Sequence, residues 1–166
     1  NLIIENNTIT NLPYTAIQVG NQPEKGKETA TEDISISYND ISNFTNIHSD
    51  GGAIYTLGPQ PGCIIKENYI HDWERPQYES KIAPSAGIYL DNYGQYMIVE
   101  RNFIEGFPLN TPRTHSLFVQ ATTFDYFLLD HNSTDECIKS GAGINLSSKG
   151  CRSDCKALSA PKNLEV

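Results

Sequence analysis

Apolar residues along this chain fall on alternate positions in short runs, and the runs recur. Leu2 and Ile4, Ile34 and Ile36, Cys63 and Ile65, Met97 and Val99, and Phe127 and Leu129 are pairs at strand spacing. Three residues after each pair stands an asparagine: Asn7, Asn39, Asn68, Asn102 and Asn132. Beyond it come Ile9, Ile41, Ile70, Ile104 and Thr134, then Leu12, Phe44, Trp73, Phe107 and Cys137. A further alternating run in each repeat supplies Ile17, Ile54, Ile88, Leu117 and Ile144, followed two positions on by Val19, Thr56, Leu90, Val119 and Leu146. The unit recurs roughly every thirty residues, the scale of a solenoid repeat.

Each repeat thus carries three short strands, and no helix-length apolar pattern lies between them. Such a unit cannot bury its inner face alone, whereas stacking equivalent strands buries a continuous core. The pattern predicts an all-β chain folded as a right-handed parallel β-helix of about five coils. The asparagine column fits a bend between strands, where Asn tolerates left-handed backbone geometry and its amide can bond to the next coil. Residues 1–150 are assigned to the coils and 151–166 to a C-terminal tail. From Ser159 to Val166 the tail reads as a linker entering a strand, and it looks like the opening of a fibronectin type III-like module.

Composition narrows the picture. A length of 166 residues is that of one domain, and 38% hydrophobic content suffices for the thin core of a solenoid. A net charge of −8 argues against a nucleic-acid partner, which calls for a basic footprint. No apolar run is long enough to span a membrane, and no signal peptide opens the chain. Asn1-Leu2-Ile3-Ile4 is already a core strand, so the chain is expected to be the C-terminal piece of a longer β-helix, with its N-terminal remainder as a partner. Cys63 falls in an inward column and is expected to be a free, buried thiol. Cys137, Cys151 and Cys155 cluster near the tail. A disulfide from Cys151 to Cys137 or Cys155 is favoured over a zinc site, which lacks a fourth ligand at suitable spacing.

Loop lengths indicate where chemistry is placed. The interval from the Leu12 column to the next strand is longest in the third repeat, from Trp73 to Ile88, and shortest in the first, from Leu12 to Ile17. Long loops on a rigid scaffold are where binding residues gather. The outward column beside them is Gln18, Tyr55, Tyr89, Phe118 and Asn145. Its central aromatics are read as an exposed platform for a sugar ring; the alternative is a ladder that only stabilises the sheet.

Asp91 follows Tyr89 by two residues on the same outward face, and Asp50 precedes the Tyr55 strand, followed by Gly51-Gly52. Two glycines there permit a sharp turn or a close approach. Paired carboxylates flanking the platform are the inventory of a glycosidase, provided a bend brings them within ~5–9.5 Å; turn capping is the alternative for each. Asp50, beneath the loops, is assigned the acid role, and Asp91, at an open strand end where water reaches it, the ionised role. His48, His71, Asp72, Tyr78 and His115 are placed around the same cleft as substrate contacts. No metal-loop, phosphate-loop or nucleophile-elbow motif occurs, so neither a metal nor another cofactor is expected.

The segments Asp50-Gly51-Gly52-Ala53-Ile54-Tyr55, Asn68-Tyr69-Ile70-His71-Asp72 and Gly87-Ile88-Tyr89-Leu90-Asp91 resemble the last coils of secreted bacterial β-helix proteins of the pectate-lyase-like superfamily. Within it the pattern is most similar to the glycoside hydrolase family that includes α-L-fucosidases and xylanases. The resemblance implies Asp50 and Asp91 as a catalytic pair, an oligosaccharide or polysaccharide substrate, and a secreted, periplasmic or cell-surface location in bacteria. Such enzymes often carry a second acid after the aspartate, where this chain has Asn92. A non-catalytic carbohydrate-binding or adhesin β-helix is the alternative function. A calcium-dependent polysaccharide lyase is disfavoured, because its acidic and basic strand face is replaced here by Tyr55, Tyr89 and Phe118.

Overall fold

The structure is a computed structural model that describes residues 1–21, 31–78 and 84–106, and the backbone of 114–119 and 127–130. In chain order its strands are β1 (Leu2–Glu5), β2 (Thr8–Thr10), β3 (Ile17–Gly20), β4 (Ile34–Ser37), β5 (Asp40–Ser42), β6 (Gly51–Lys66), β7 (Tyr69–His71), β8 (Ser85–Glu100), β9 (Phe103–Ile104), β10 (Thr114–Val119) and β11 (Phe127–Asp130). Every pairing between them is parallel. One sheet runs β1-β4-β6-β8-β10, with β3 also on β6 and β11 also on β8; the other runs β2-β5-β7-β9. No helix occurs among the described residues.

The registers reproduce the columns read from the sequence. Ile17 pairs with Ile54, Ile54 with Ile88 and Ile88 with Leu117. Ile9, Ile41, Ile70 and Ile104 align in the same way on the second sheet. The side chains of the described columns make one continuous core: Ile41, Ile54, Ile70, Ile88, Leu90 and Val99 are fully buried, and Cys63 lies among them as a free thiol. A one-residue slip of any strand would turn its apolar set outward, which is why the register is so well specified.

Corners are made by left-handed residues, also in columns. Asp33, Gly62 and Tyr96 stand at one corner, with φ of 52°, 73° and 61°. Asn6, Tyr38, Glu67 and Arg101 stand at the next, with φ of 57°, 56°, 54° and 51°. Asn11, Asn43, Asp72 and Gly106 make the third. The asparagine column therefore differs from expectation in one respect: the left-handed residue is the one before it, and the asparagine itself supplies the bonds. Nδ2 of Asn39 donates to Oδ1 of Asn68 at 2.9 Å, and Nδ2 of Asn68 to Oδ1 of Asn102 at 2.8 Å. The backbone N–H groups of Asn39 and Asn68 donate to the same oxygens at 3.0 and 3.1 Å. The ladder is fully buried at Asn39, Asn68 and Asn102. Each left-handed non-glycine residue costs about 1–2 kcal/mol, and several hydrogen bonds per coil at about 1 kcal/mol each offset it.

The tail from residue 151 and the cysteines Cys137, Cys151 and Cys155 lie outside the described residues.

Candidate active site

Strand β6 begins at a point held from the preceding coil. Residues Pro13–Thr15 lie against the approach to β6: the Thr45 N–H donates to the Tyr14 carbonyl at 2.9 Å, and the Ile47 and His48 N–H groups donate to the Pro13 carbonyl. Asp50 follows with φ 69°. Its N–H donates to the Pro84 carbonyl of the next coil at 2.8 Å, and its carbonyl accepts a hydrogen bond from the Tyr14 hydroxyl. A Cβ on Gly51 would sit 2.6 Å from Thr15 Oγ1 and 2.9 Å from the Tyr14 ring. The glycine is needed for close approach, one of the two reasons its position suggested.

Asp91 is held on the outer face of β8. Tyr55, paired in register with Tyr89, donates from its hydroxyl to Asp91 Oδ2 at 2.6 Å. Asn92 donates twice, from its backbone N–H to Oδ1 at 2.7 Å and from its side-chain amide to Oδ2 at 3.1 Å. A carboxylate at position 92 could not make the second of these bonds, so the departure from the acidic pattern becomes a support for Asp91. Asp91 is only 4% exposed, far less open to water than its place at a strand end had suggested.

Asp50 is exposed, not covered as its place beneath the loops had suggested. Partial desolvation still raises its carboxyl above its ordinary value, and the charge of Asp91 raises it further. Tyr14, Tyr55 and Tyr89 are all raised above the ordinary phenol range, first by burial and then by interactions with Asp91 and Asp50. Three protonated phenols and two carboxyl groups therefore make one electrostatic unit on the outward face, spanning three coils.

The aromatic column is corrected. Tyr55 and Tyr89 are 6% and 1% exposed, not an open platform. Their rings pack on each other with centroids 4.8 Å apart. They form the buried bed on which Asp91 rests, and the Tyr55 hydroxyl is committed to that acid. Phe118 pairs in register with Tyr89 on β10, extending the column by one coil. His115 stands on the same strand, in register with Ala86.

The remaining polar residues separate. His71 and Asp72 were placed in the cleft, but His71 lies on the second sheet, in β7, and Asp72 at the corner that follows. His71 Nε2 meets Asp40 Oδ1 and its Nδ1 meets Asp72 Oδ2, each at 2.8 Å, with the Tyr69 ring stacked at 4.0 Å. Asp72 also lines a polar groove of about 490 Å³ with Thr10, Ser42, Asn43, Trp73 and Glu74. His48 and Tyr78 form a bridge and stack with ring centroids 5.9 Å apart, both exposed. Among the described residues, no three His, Cys, Asp or Glu side chains gather as a metal site requires.

Tyr14 is the residue that sequence reasoning missed. It stands in a turn before β3, outside every repeat column, and only the stacking of coils brings it to Asp50.

A parallel stack with left-handed corners and a stacked asparagine column defines a parallel β-helix. The chain belongs to the right-handed beta helix region family, whose model matches residues 1–161. A solved structure described as a glycoside hydrolase is similar in fold, with a TM-score of 0.66 at 23% sequence identity. The match covers 87% of this chain and 23% of that one. No curated protein matches the sequence.

Proposed function

We propose that the protein is a glycoside hydrolase acting on a complex plant or host glycan outside the cell, with Asp50 and Asp91 as its catalytic pair. The observation that carries this reading is the setting of Asp91: a buried carboxylate held by Tyr55 and Asn92 on β8, with Asp50 standing directly before the paired strand β6. One carboxyl poised to give a proton beside another fixed as an acceptor is the arrangement that glycoside hydrolysis needs. The fold likeness to a structure described as a glycoside hydrolase supports it.

Asp50 protonates the glycosidic oxygen as the bond from the anomeric carbon to that oxygen breaks. Asp91 either removes a proton from the attacking water or attacks the anomeric carbon itself, forming an ester that water then cleaves. In both courses one water is consumed, the leaving sugar keeps the proton from Asp50, and exchange with solvent restores the pair. Tyr55 and Tyr89 serve as the bed of the site, while Phe118 and His115 on β10 and the exposed His48–Tyr78 pair are assigned to substrate contact at its margins.

The test is to assay wild type, Asp50→Asn and Asp91→Asn on plant and host glycan panels. Each variant should lose on the order of a hundredfold or more in turnover while binding persists, as loss of a general acid or base does. Near-normal turnover in both would remove the pair from catalysis. Binding without cleavage by wild type would favour a carbohydrate-binding or adhesin β-helix.

A further inference from the structure

The face that carries Asp50 and Asp91 is served by a residue pair from a coil that contributes no acid. We infer that Tyr14 and Thr15 form a clamp that positions Asp50, making Tyr14 a positioning residue for the reaction proposed above. The clamp has two hydrogen bonds, one on each side of Gly51. The Tyr14 hydroxyl donates to the Asp50 carbonyl, and Thr15 Oγ1 accepts from the Gly52 N–H at 3.3 Å. Between them Gly51 lies so close to both side chains that a Cβ could not be added without displacing one of them.

The clamp has a mechanical reason. Asp50 is a non-glycine residue in the left-handed region, a conformation that surrounding structure must hold in place. Its N–H is held from one side by Pro84 and its carbonyl from the other by Tyr14, so both peptide groups flanking its Cα are fixed by neighbouring coils. Fixing those two peptides fixes the direction of the Cα–Cβ bond, and with it where the carboxyl can reach. Releasing the carbonyl lets the residue relax and the carboxyl, already exposed, turn away from Asp91. The Tyr14 turn is itself tied down, through the Thr45, Ile47 and His48 N–H groups. The titratable groups that face Asp50 are Asp91 of β8, Tyr55 of β6, Tyr89 of β8 and Tyr14 itself. Only Tyr14 touches the Asp50 backbone by a described side-chain bond.

The test reads Asp50 directly. Carboxyl carbon-13 NMR titration of the whole protein follows Asp50 in wild type, Tyr14→Phe and Thr15→Val, with the resonance assigned by Asp50→Asn. Phenylalanine keeps the ring that desolvates the site and removes only the bond to the carbonyl. The expected result is a midpoint for Asp50 that moves down toward the ordinary aspartate value in both variants, while their amide spectra elsewhere remain those of wild type. On a cleaved glycan, Tyr14→Phe should lower kcat by on the order of tenfold or more with KM little changed, as misplacement of a catalytic group does. An Asp50 midpoint unchanged in both variants would overturn the clamp. This inference rests on the glycosidase reading, yet the two fail separately. Absence of any cleavage by wild type ends that reading while the titration still decides the clamp. An unmoved titration with Asp50→Asn inactive ends the clamp alone. If Tyr14→Phe does not fold, Thr15→Val and its conservative counterpart Thr15→Ser, which should restore the wild-type midpoint, carry the decision.

Discussion

The Tyr55 hydroxyl donates to Asp91 Oδ2 at 2.6 Å, linking the strand of one coil to the acid of the next. The bond joins an aromatic column that reads as core support to a carboxylate that reads as chemistry. It also fixes the protonation of the phenol, because burial and the bond to Asp91 both raise Tyr55 above the ordinary phenol range. Removing that hydroxyl should therefore be felt in both stability and turnover. Tyr55→Phe is expected to cost about 1.5–3 kcal/mol, the usual worth of a hydrogen bond to a charged group, as measured by urea unfolding. The same variant should lower turnover on a cleaved glycan, because Asp91 keeps only the two bonds from Asn92.

The asparagine ladder makes a second prediction, with an internal control. Asn68 is fully buried, donates to the Ile36 and Lys66 carbonyls and to Asn102, and accepts from Asn39. Asn68→Ala would strand those partners out of reach of water. It is expected to destabilise by roughly 3 kcal/mol or more, since each buried group left unsatisfied costs ~1–3 kcal/mol. Asn7, at the exposed end of the same column, makes fewer bonds, and water can replace them. Asn7→Ala should cost markedly less in the same denaturation experiment. Equal losses at the two positions would show that the ladder is not the source of the stability.

These two residues also show what could be read in the sequence and why. Asn68 and Tyr55 sit in columns because parallel stacking repeats the same side-chain environment at each coil, so the repeat itself reports register. The Ile54–Ile88 and Tyr55–Tyr89 pairings were legible for that reason. Face and exposure were not. Period-two alternation separates inside from outside but does not say which of the faces a strand occupies, because the left-handed corner residues set that. Tyr38 and Glu67 are such residues, and neither type advertises a positive φ. The alternation accordingly suggests His71 around the cleft of Asp50, whereas it lies on the other sheet. Alternation points Tyr55 and Tyr89 outward and so suggests exposure, whereas their mutual packing and the Asp91 contact bury them. Tyr14 could not be found at all, since its contact joins a turn to a coil more than thirty residues later.

Cys63 provides a third check, independent of function. It is 3% exposed within the core, paired in register with Met97, and burial pushes its thiol above the ordinary range. A thiol alkylates as the thiolate, so both access and ionisation oppose reaction. Iodoacetamide at neutral pH should leave Cys63 unmodified in folded protein and label it fully in urea, as read by peptide mass analysis. Rapid labelling of the native protein would contradict the core assignment.

The last prediction concerns pH and follows from the raised Asp50 carboxyl. Its pKa in the folded state lies above the ordinary aspartate value of 3.8, because of burial and the neighbouring Asp91 charge. Below that ordinary value the group is protonated in both folded and unfolded chains, and it contributes nothing to the pH dependence. As pH rises through the ordinary value and on to the folded one, the unfolded chain gives up its proton first. Folding then has to hold a proton that the unfolded chain has released, so stability falls across that window and stays lower above it. Asp50→Asn removes this loss, since an amide does not titrate there. The variant should therefore gain stability relative to wild type at neutral pH and show a smaller gain or none near pH 3, in paired urea titrations. It should do so while losing turnover, as expected where a strained acid is retained for activity at a cost in stability. A stability difference between the two proteins that is the same at both pH values would mean that Asp50 titrates as an ordinary surface aspartate, and would remove its case for the acid role.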